Sequence, residues 1–184
     1  MAINKIKNDV KDKLILYYNN IMNSEVKIFI IIFSLSLIIR LILYYYINLN
    51  PYSYDGNEYL EWGSKIPNLK LFFIVTKKPP LYPFLLGIFN LLGISDKGII
   101  FLQICLDSMN QILFYFICRT FANRVFSFWA CFSYLINFSL IKYSFYFQTE
   151  TLSVFLLMSH ALILLKYKEK DNKIMRILYI LNTI

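Results

Sequence analysis

The chain has 184 residues, of which 58% are hydrophobic and only 16% are charged, and its mean hydropathy is +0.54. This composition is typical of an integral membrane protein. The formal net charge of +8 does not indicate a nucleic-acid-binding protein, because the basic residues cluster at the edges of apolar segments, as in the cytoplasmic loops of membrane proteins. The three cysteines show no CxxC or Cys/His spacing, so the sequence indicates neither a metal site nor a disulfide framework.

Residues 1–27 are predicted to form a cytoplasmic, partly helical N-terminal segment. The first apolar run begins only after this charged stretch, and no small-residue cleavage site follows it, which is unlike a signal peptide. Residues 28–184 are predicted to form a membrane module. Its first span, residues 28–47, has the length of about 20 residues that a helix needs to cross a bilayer. Arg40 alone interrupts this run with a charge.

The outer loop, predicted over residues 48–97, contains the most polar part of the module. From Pro51 to Pro83 it is acidic, basic and rich in tyrosine. Connections of this length are either functional or disordered, and the Tyr and Pro content argues against disorder. The loop is therefore the leading candidate for a functional site, with these charged residues beside its tyrosines: Asp55, Glu58, Glu61, Lys77 and Lys78.

Residues 81–94 are apolar but too short to be a good spanning segment, and the distribution of basic residues decides their placement. If this segment does not cross, the basic N-terminus, the turn at residues 119–124 and the loop at residues 166–176 lie on the same side of the membrane. If it crosses, the two later basic segments lie opposite the N-terminus, against the positive-inside rule. We therefore expect an interfacial helix over residues 81–94, along the outer face of the membrane.

Further apolar segments have about the length of a span, or begin one: residues 98–118, 125–146 and 151–167, and the start of a fifth span at residue 174. The predicted fold class is all-α, a polytopic transmembrane helix bundle with interfacial helices in the first outer loop. Arg40 and Asp107 are expected to face the bundle, because charged groups are costly in hydrocarbon. This topology places residues 148–151 on the same outer side as the loop.

The polar residues occur in a recognisable order. Arg40 is followed by Asp-x-x-Glu-Tyr at residues 55–59, by Lys-Pro-Pro-Leu-Tyr-Pro at residues 78–83 and by Thr-Glu-Thr-Leu at residues 149–152. Over nearly its whole length the chain resembles the N-terminal part of the GT-C glycosyltransferases, in particular the dolichyl-phosphate-mannose-protein mannosyltransferase and aminoarabinose transferase-like superfamily. The resemblance implies a GT-C-like fold that is truncated here, because enzymes of that superfamily are several hundred residues long.

The resemblance also implies a membrane glycosyltransferase that transfers a sugar from a polyprenyl-phosphate donor to an extracytoplasmic acceptor. Asp55 would be the catalytic base, since inverting sugar transfer needs a carboxylate to take the proton of the acceptor hydroxyl. Lys78 would bind the substrate through the leaving phosphate, as a point charge. The other predicted substrate-binding residues are Glu58, Tyr59, Tyr82 and Glu150.

The expected partners are the lipid bilayer, the polyprenyl-phosphate sugar donor and a glycan, lipid or protein acceptor. The expected location is a bacterial plasma membrane, crossed several times, with the N-terminus cytoplasmic. No cofactor is indicated, and a divalent metal is left open. Protein mannosyltransferases proper carry adjacent Asp-Glu in this loop, whereas Gly56 and Asn57 separate Asp55 from Glu58 here, so the acceptor is also left open.

Two alternatives stay open at this point. As a truncated or split enzyme, the isolated chain is expected to be poorly active or inactive. The other alternative is a non-enzymatic small membrane protein, such as a transporter accessory or assembly subunit. In that case Asp55 and Glu58 form only a solvated turn around Gly56, and Lys77 and Lys78 only extend their amines towards the interface.

Overall fold

The computed structural model describes residues 2–47, 49–52 and 55–169. Within these ranges all regular secondary structure is helical, as the sequence predicts. The predicted fifth span, from residue 174, lies outside the described residues. The helices are α1 (Ala2–Ile47), α2 (Gly56–Gly63), α3 (Leu69–Val75), α4 (Leu81–Leu91), α5 (Asp96–Phe121), α6 (Arg124–Leu135), α7 (Phe138–Tyr143) and α8 (Glu150–Glu169).

Two helical segments of the described part of the chain are long and apolar enough to cross a membrane, Glu25–Ile47 in α1 and Asp96–Phe121, which is α5. They contain the predicted spans at residues 28–47 and 98–118. The predicted N-terminal segment forms the beginning of the same long helix α1. Helix α4 is apolar but shorter, and its position along the outer face of a membrane stays a prediction.

The segment at residues 125–146 differs from the single helix that its composition suggests. Helix α6 ends at Leu135, and α7 begins at Phe138. Between them the side chain of Asn137 accepts a hydrogen bond from the backbone N–H of Leu140 at 3.3 Å. Asparagine favours this capping position because it satisfies an otherwise free N–H of the first helical turn. The apolar run is therefore divided into two helices, and its membrane crossing stays a prediction.

Helix α5 is the central element, and it contacts α1, α6 and α8. The polar side chains buried where these helices meet include the charged pair Arg40 and Asp107. The Nε atom of Arg40 lies 2.6 Å from Oδ2 of Asp107, and the hydroxyl of Tyr134 donates to Oδ1 of Asp107 at 3.0 Å. Gln111 joins the cluster by accepting from Arg40 Nη1 at 3.3 Å. Both charged side chains are buried, which confirms that Arg40 and Asp107 face the bundle.

Helices α2 and α4 of the predicted outer loop pack against each other through two glycines. A Cβ atom built on Gly87 of α4 would lie only 2.3 Å from the backbone oxygen of Gly63 of α2. Such a close approach of two backbones is open only to glycine. Helix α4 ends at Leu91, and Gly93, two residues further on, has a φ of +72°, the left-handed conformation that commonly follows the end of a helix. This packing fixes the position of the first site residues relative to the start of α4.

Candidate functional site

Asp55 stands at the start of α2, and a tight contact beside it fixes the loop. The backbone N–H of Tyr59 donates to the carbonyl of Asp55 at 3.0 Å, which closes the first turn. A Cβ atom on Gly56 would lie 3.0 Å from the carbonyl oxygen of Pro51 and 3.3 Å from Cβ of Phe147. The backbone N–H of Phe147 donates to the same carbonyl of Pro51 at 3.0 Å. The segment before α8 therefore holds the loop that carries Asp55.

Lys78 connects the two carboxylates of this region. Its Nζ lies 2.6 Å from Oδ2 of Asp55 and 3.5 Å from Oε2 of Glu58. The same ammonium lies 5.5 Å from the centre of the Tyr59 ring, a cation–π distance. The hydrogen bond to Asp55 raises the pKa of Lys78 above its ordinary value. The three charged side chains are 35–57% exposed, so this ionic cluster is open to a ligand.

A layer of buried aromatic rings supports the ionic cluster. The ring centres of Tyr59 and Tyr82 are 5.3 Å apart, and those of Tyr59 and Trp62 are 5.7 Å apart, both in edge-to-face geometry. All three side chains are buried. Edge-to-face pairs of this kind stabilise beyond the area they bury. Lys78 therefore packs over the ring of Tyr59, which is itself held by the buried rings of Tyr82 and Trp62.

Gln103 of α5 holds the inner end of this aromatic layer. The Tyr82 hydroxyl donates to Oε1 of Gln103 at 2.8 Å. The Nε2 of Gln103 donates to the carbonyl of Tyr146 at 2.6 Å. Sequence analysis did not place Gln103 in the site. The one signal was its position as a polar side chain within an apolar run, and that pattern does not say which partner it meets.

Glu150 is the first residue of α8. Burial, and after it the charge of Glu150, raise the pKa of Tyr82 above its ordinary value. In the described part of the chain the buried Oε2 of Glu150 has no hydrogen-bond partner. Four of the predicted site residues contact one another directly. Tyr82 contacts this group through the ring of Tyr59, and Glu150 affects Tyr82 through its charge. The four that meet are Asp55, Glu58, Tyr59 and Lys78.

A cavity of about 320 Å³ adjoins the site on the side of Tyr82. Its lining comes from α4, α5, the start of α8 and Gln148, and consists mostly of leucine, isoleucine and aromatic side chains, with Gln103, Gln148 and Thr151 as the polar members. The described residues hold no group of three or more His, Cys, Asp or Glu side chains placed to bind a metal ion. The site therefore combines exposed carboxylates that can accept a proton, the ammonium of Lys78, which can bind an anion, and an adjoining apolar cavity.

The comparison with protein families gives one match. The family model described as dolichyl-phosphate-mannose-protein mannosyltransferase matches residues 77–184, which is more than half of the chain. No curated protein and no solved structure matches this chain. The matched region begins at Lys77, immediately before Lys78, and includes Tyr82 and Glu150. The family is one of glycosyltransferases, which indicates that kind of function and, with the two long apolar helices, a membrane protein. The chain belongs to the dolichyl-phosphate-mannose-protein mannosyltransferase family.

Proposed function

We propose that this chain carries the reacting loop of a membrane glycosyltransferase that moves a sugar from a polyprenyl-phosphate donor to an acceptor hydroxyl. The observation that supports this most directly is the contact between Asp55 and Lys78, with 2.6 Å between Oδ2 and Nζ. This contact places a candidate base and a candidate phosphate-binding cation within one small, solvent-exposed cluster. The sequence resemblance implies these same roles for these two residues.

In the proposed reaction, the acceptor oxygen forms a bond to the anomeric carbon of the sugar. The bond between that carbon and the donor phosphate oxygen breaks with its electron pair, and Asp55 takes the proton of the acceptor hydroxyl. The phosphate leaves as an anion, which Lys78 stabilises by its charge. Protons, bonds and charge balance without a further reactant.

The ion pair also predicts an order of binding. The ammonium of Lys78 lies 2.6 Å from Oδ2 of Asp55. It therefore covers the carboxylate that the acceptor hydroxyl must reach. A donor phosphate would compete with Asp55 for Lys78, because its phosphodiester carries a negative charge shared by two oxygens, and this charge grows as the bond to the sugar breaks. Glu58, 3.5 Å from the same Nζ, would keep Lys78 close while this exchange occurs. The donor would therefore bind first and free Asp55 for the acceptor.

The resemblance also suggests which residues surround the sugar and on which side of the membrane the reaction occurs. Tyr59 and Tyr82 line the sugar site, and Glu150 lies beside the donor head group or the acceptor. The reacting loop lies on the extracytoplasmic side of a bacterial plasma membrane, in a multi-pass helix bundle with interfacial helices, and the acceptor is a glycan, a lipid or a protein.

The test is sugar transfer from a polyprenyl-phosphate donor, together with donor affinity, in membranes that carry the protein. General-base catalysis contributes about 10²–10⁴-fold in rate, so Asp55→Asn should lose most of the turnover and keep donor binding. Lys78→Ala should mainly weaken donor binding. The matched controls are Glu61→Gln and Lys77→Ala, which change exposed charges of the same loop and should change neither quantity. Near-normal turnover in Asp55→Asn would remove Asp55 as the base and leave Glu58 or Glu150.

The topology has its own test. Residues 48–97 and 147–150 should lie outside the membrane, and residues 119–124 and 166–173 inside, because of the distribution of Lys and Arg. A membrane-impermeant maleimide added to intact cells should label Asn57→Cys and not Ala122→Cys, with the parent protein as the blank for its native cysteines. Labelling of Ala122→Cys from outside would reverse the assignment.

A further inference from the structure

A second cavity lies near the C-terminal end of α5, the end farther from the outer loop. Its volume is about 240 Å³, below the roughly 300–1,000 Å³ of pockets that enclose a small ligand. It therefore holds only part of a larger molecule. Its lining comes from α1, α5 and the first turns of α6, with the residues Ile28, Tyr115, Arg124, Val125 and Phe128.

Arg124 is the only charged residue among these lining residues, and no carboxylate of the described residues forms an ion pair with it. Arg119, in the same basic turn, is already engaged. Its Nη1 donates to the carbonyl of Ala122 at 3.1 Å, and its Nη2 lies 3.9 Å from Oε1 of Glu25. The charge of Glu25 is thus offset by Arg119, which leaves the exposed Arg124 as the cation of the cavity.

The surface of α6 beside the cavity is apolar and open. Val125 and Phe128, which line the cavity, are 66% and 46% exposed, and the neighbouring Phe126 and Trp129 are also exposed. Exposed apolar patches with a polar rim mark sites of interaction with a membrane or a partner. A hydrocarbon chain fits this surface and an anionic group fits Arg124, so the two features together select one amphipathic ligand.

We propose that this cavity binds an anionic phospholipid of the inner leaflet, with its phosphate at Arg124 and the upper part of one acyl chain between α1 and α6. Basic pockets between helices on the cytoplasmic side of a membrane bind anionic head groups, because that leaflet carries negative charge. Phosphatidylcholine has the same phosphate and chains, but its own ammonium offsets the charge, so Arg124 favours the anionic lipid. The inference rests on the proposed topology, which places residues 119–124 inside, and does not depend on the proposed reaction.

The test measures how lipids with brominated acyl chains quench the fluorescence of Trp129. The ring of Trp129 lies 5.9 Å from that of Phe128, so it reports on the lipid beside the cavity. The chain has two tryptophans, and a Trp62→Phe background leaves Trp129 as the reporter. The purified protein is reconstituted into vesicles of phosphatidylglycerol and phosphatidylcholine in a fixed ratio, with the bromine on either one lipid or the other. Both leaflets have the same composition, so the direction of insertion does not affect the result.

Brominated phosphatidylglycerol should quench as if it were enriched about fivefold beside Trp129, since one basic residue near an anionic lipid contributes about that factor. Arg124→Gln should abolish most of this enrichment, and Arg124→Lys, which keeps the charge, should retain most of it. The matched control Lys166→Gln removes an exposed charge near the end of α8, outside the cavity lining. It should keep the parent enrichment. Circular dichroism checks that each variant is folded.

The inference is wrong if the two brominated lipids quench equally before any change at Arg124, or if Arg124→Gln keeps the enrichment. An equal loss in Lys166→Gln would also overturn it, because lipids would then respond to the total charge of this end of the protein. Loss of the enrichment on adding inorganic phosphate would assign Arg124 to a soluble anion instead. No sugar donor is present in the experiment, so its failure leaves the proposed function untouched, and a loss of sugar transfer in Asp55→Asn leaves this site untouched.

Discussion

Two ion pairs within the described residues have the same length and opposite surroundings. Lys78 and Asp55 are 2.6 Å apart with side chains 35% and 47% exposed, and Arg40 and Asp107 are 2.6 Å apart with side chains 0% and 3% exposed. Exposed pairs contribute little to stability, because water screens them and holding the side chains costs entropy. A buried pair is different, since removing one partner leaves an uncompensated charge. The first pair is therefore suited to exchange partners with a ligand, and the second to hold helices together.

The surroundings of each pair support this contrast. Lys78 has a second carboxylate within 3.5 Å, so its contact with Asp55 has an alternative close by. Asp107 has both oxygens occupied, one by Arg40 and one by Tyr134. Gln111, which accepts from Arg40, also donates to the carbonyl of Cys131 at 3.2 Å. The buried pair is thus part of a hydrogen-bonded network across α1, α5 and α6.

The largest expected effect is on the buried pair. Arg40→Met should lower the free energy of unfolding by about 3–5 kcal/mol, because Asp107 is then buried without its cation. Adding Asp107→Leu should recover most of the loss, since apolar residues in place of both partners remove the buried charge altogether. Unfolding in detergent, followed by circular dichroism, measures both variants. A single Arg40→Met variant as stable as the parent would contradict the contrast between the two pairs.

An intermediate effect is expected where the exposed pair depends on backbone packing. Gly87→Ala would put a Cβ atom 2.3 Å from the oxygen of Gly63 and 2.4 Å from Cδ1 of Ile66. Overpacking of this kind costs about 1–3 kcal/mol. It should also move α2 away from α4, and so separate Asp55 from Lys78 and lower sugar transfer.

Gly98→Ala is the matched control for that experiment. A Cβ atom there meets two side-chain atoms, the Cγ2 methyl of Ile94 at 2.9 Å and the Ser95 hydroxyl oxygen at 3.6 Å, and no backbone atom of another helix. Thermal unfolding and transfer activity of the two variants should separate clearly. Equal behaviour would mean that the contact between the two glycines does not position the ionic cluster.

The smallest effect on stability is expected for the exposed pair itself. Lys78→Ala should leave the thermal unfolding temperature essentially unchanged while it weakens donor binding. The hydrogen bond to Asp55 raises the pKa of Lys78. The stability that charged Lys78 contributes is therefore fully present below its unfolded-state pKa of about 10.4. It is lost only as the pH rises through the higher pKa of Lys78 in the folded protein. Melting curves of parent and variant should thus keep the same separation from about pH 7 to about pH 9. A separation that changes within that range would assign the titration to another group.

Local patterns were enough to predict part of this structure. Apolar runs of sufficient length predicted the helices at residues 28–47 and 98–118. In apolar surroundings the backbone N–H and C=O groups must bond to each other, and a helix allows this within one segment. The cost of charge in an apolar interior predicted that Arg40 and Asp107 face other helices. The division between α6 and α7 was not predicted, because hydropathy averages over Asn137 and does not register its capping hydrogen bond. Gln103 was missed as a support of Tyr82 because a polar residue in an apolar helix does not identify its partner.

The sequence by itself determined the helical class, the inward position of the buried charges and the order of polar motifs by which the family was suspected. Tertiary structure decided which of those motifs meet. Lys78 meets Asp55 in a fold in which α2 and α4 approach each other through Gly63 and Gly87. The apolar cavity exists only because α4, α5 and α8 leave space beside Tyr82. The physical reason is that helix formation depends on neighbours a few residues away, whereas contacts between helices depend on side-chain shape across long stretches of chain.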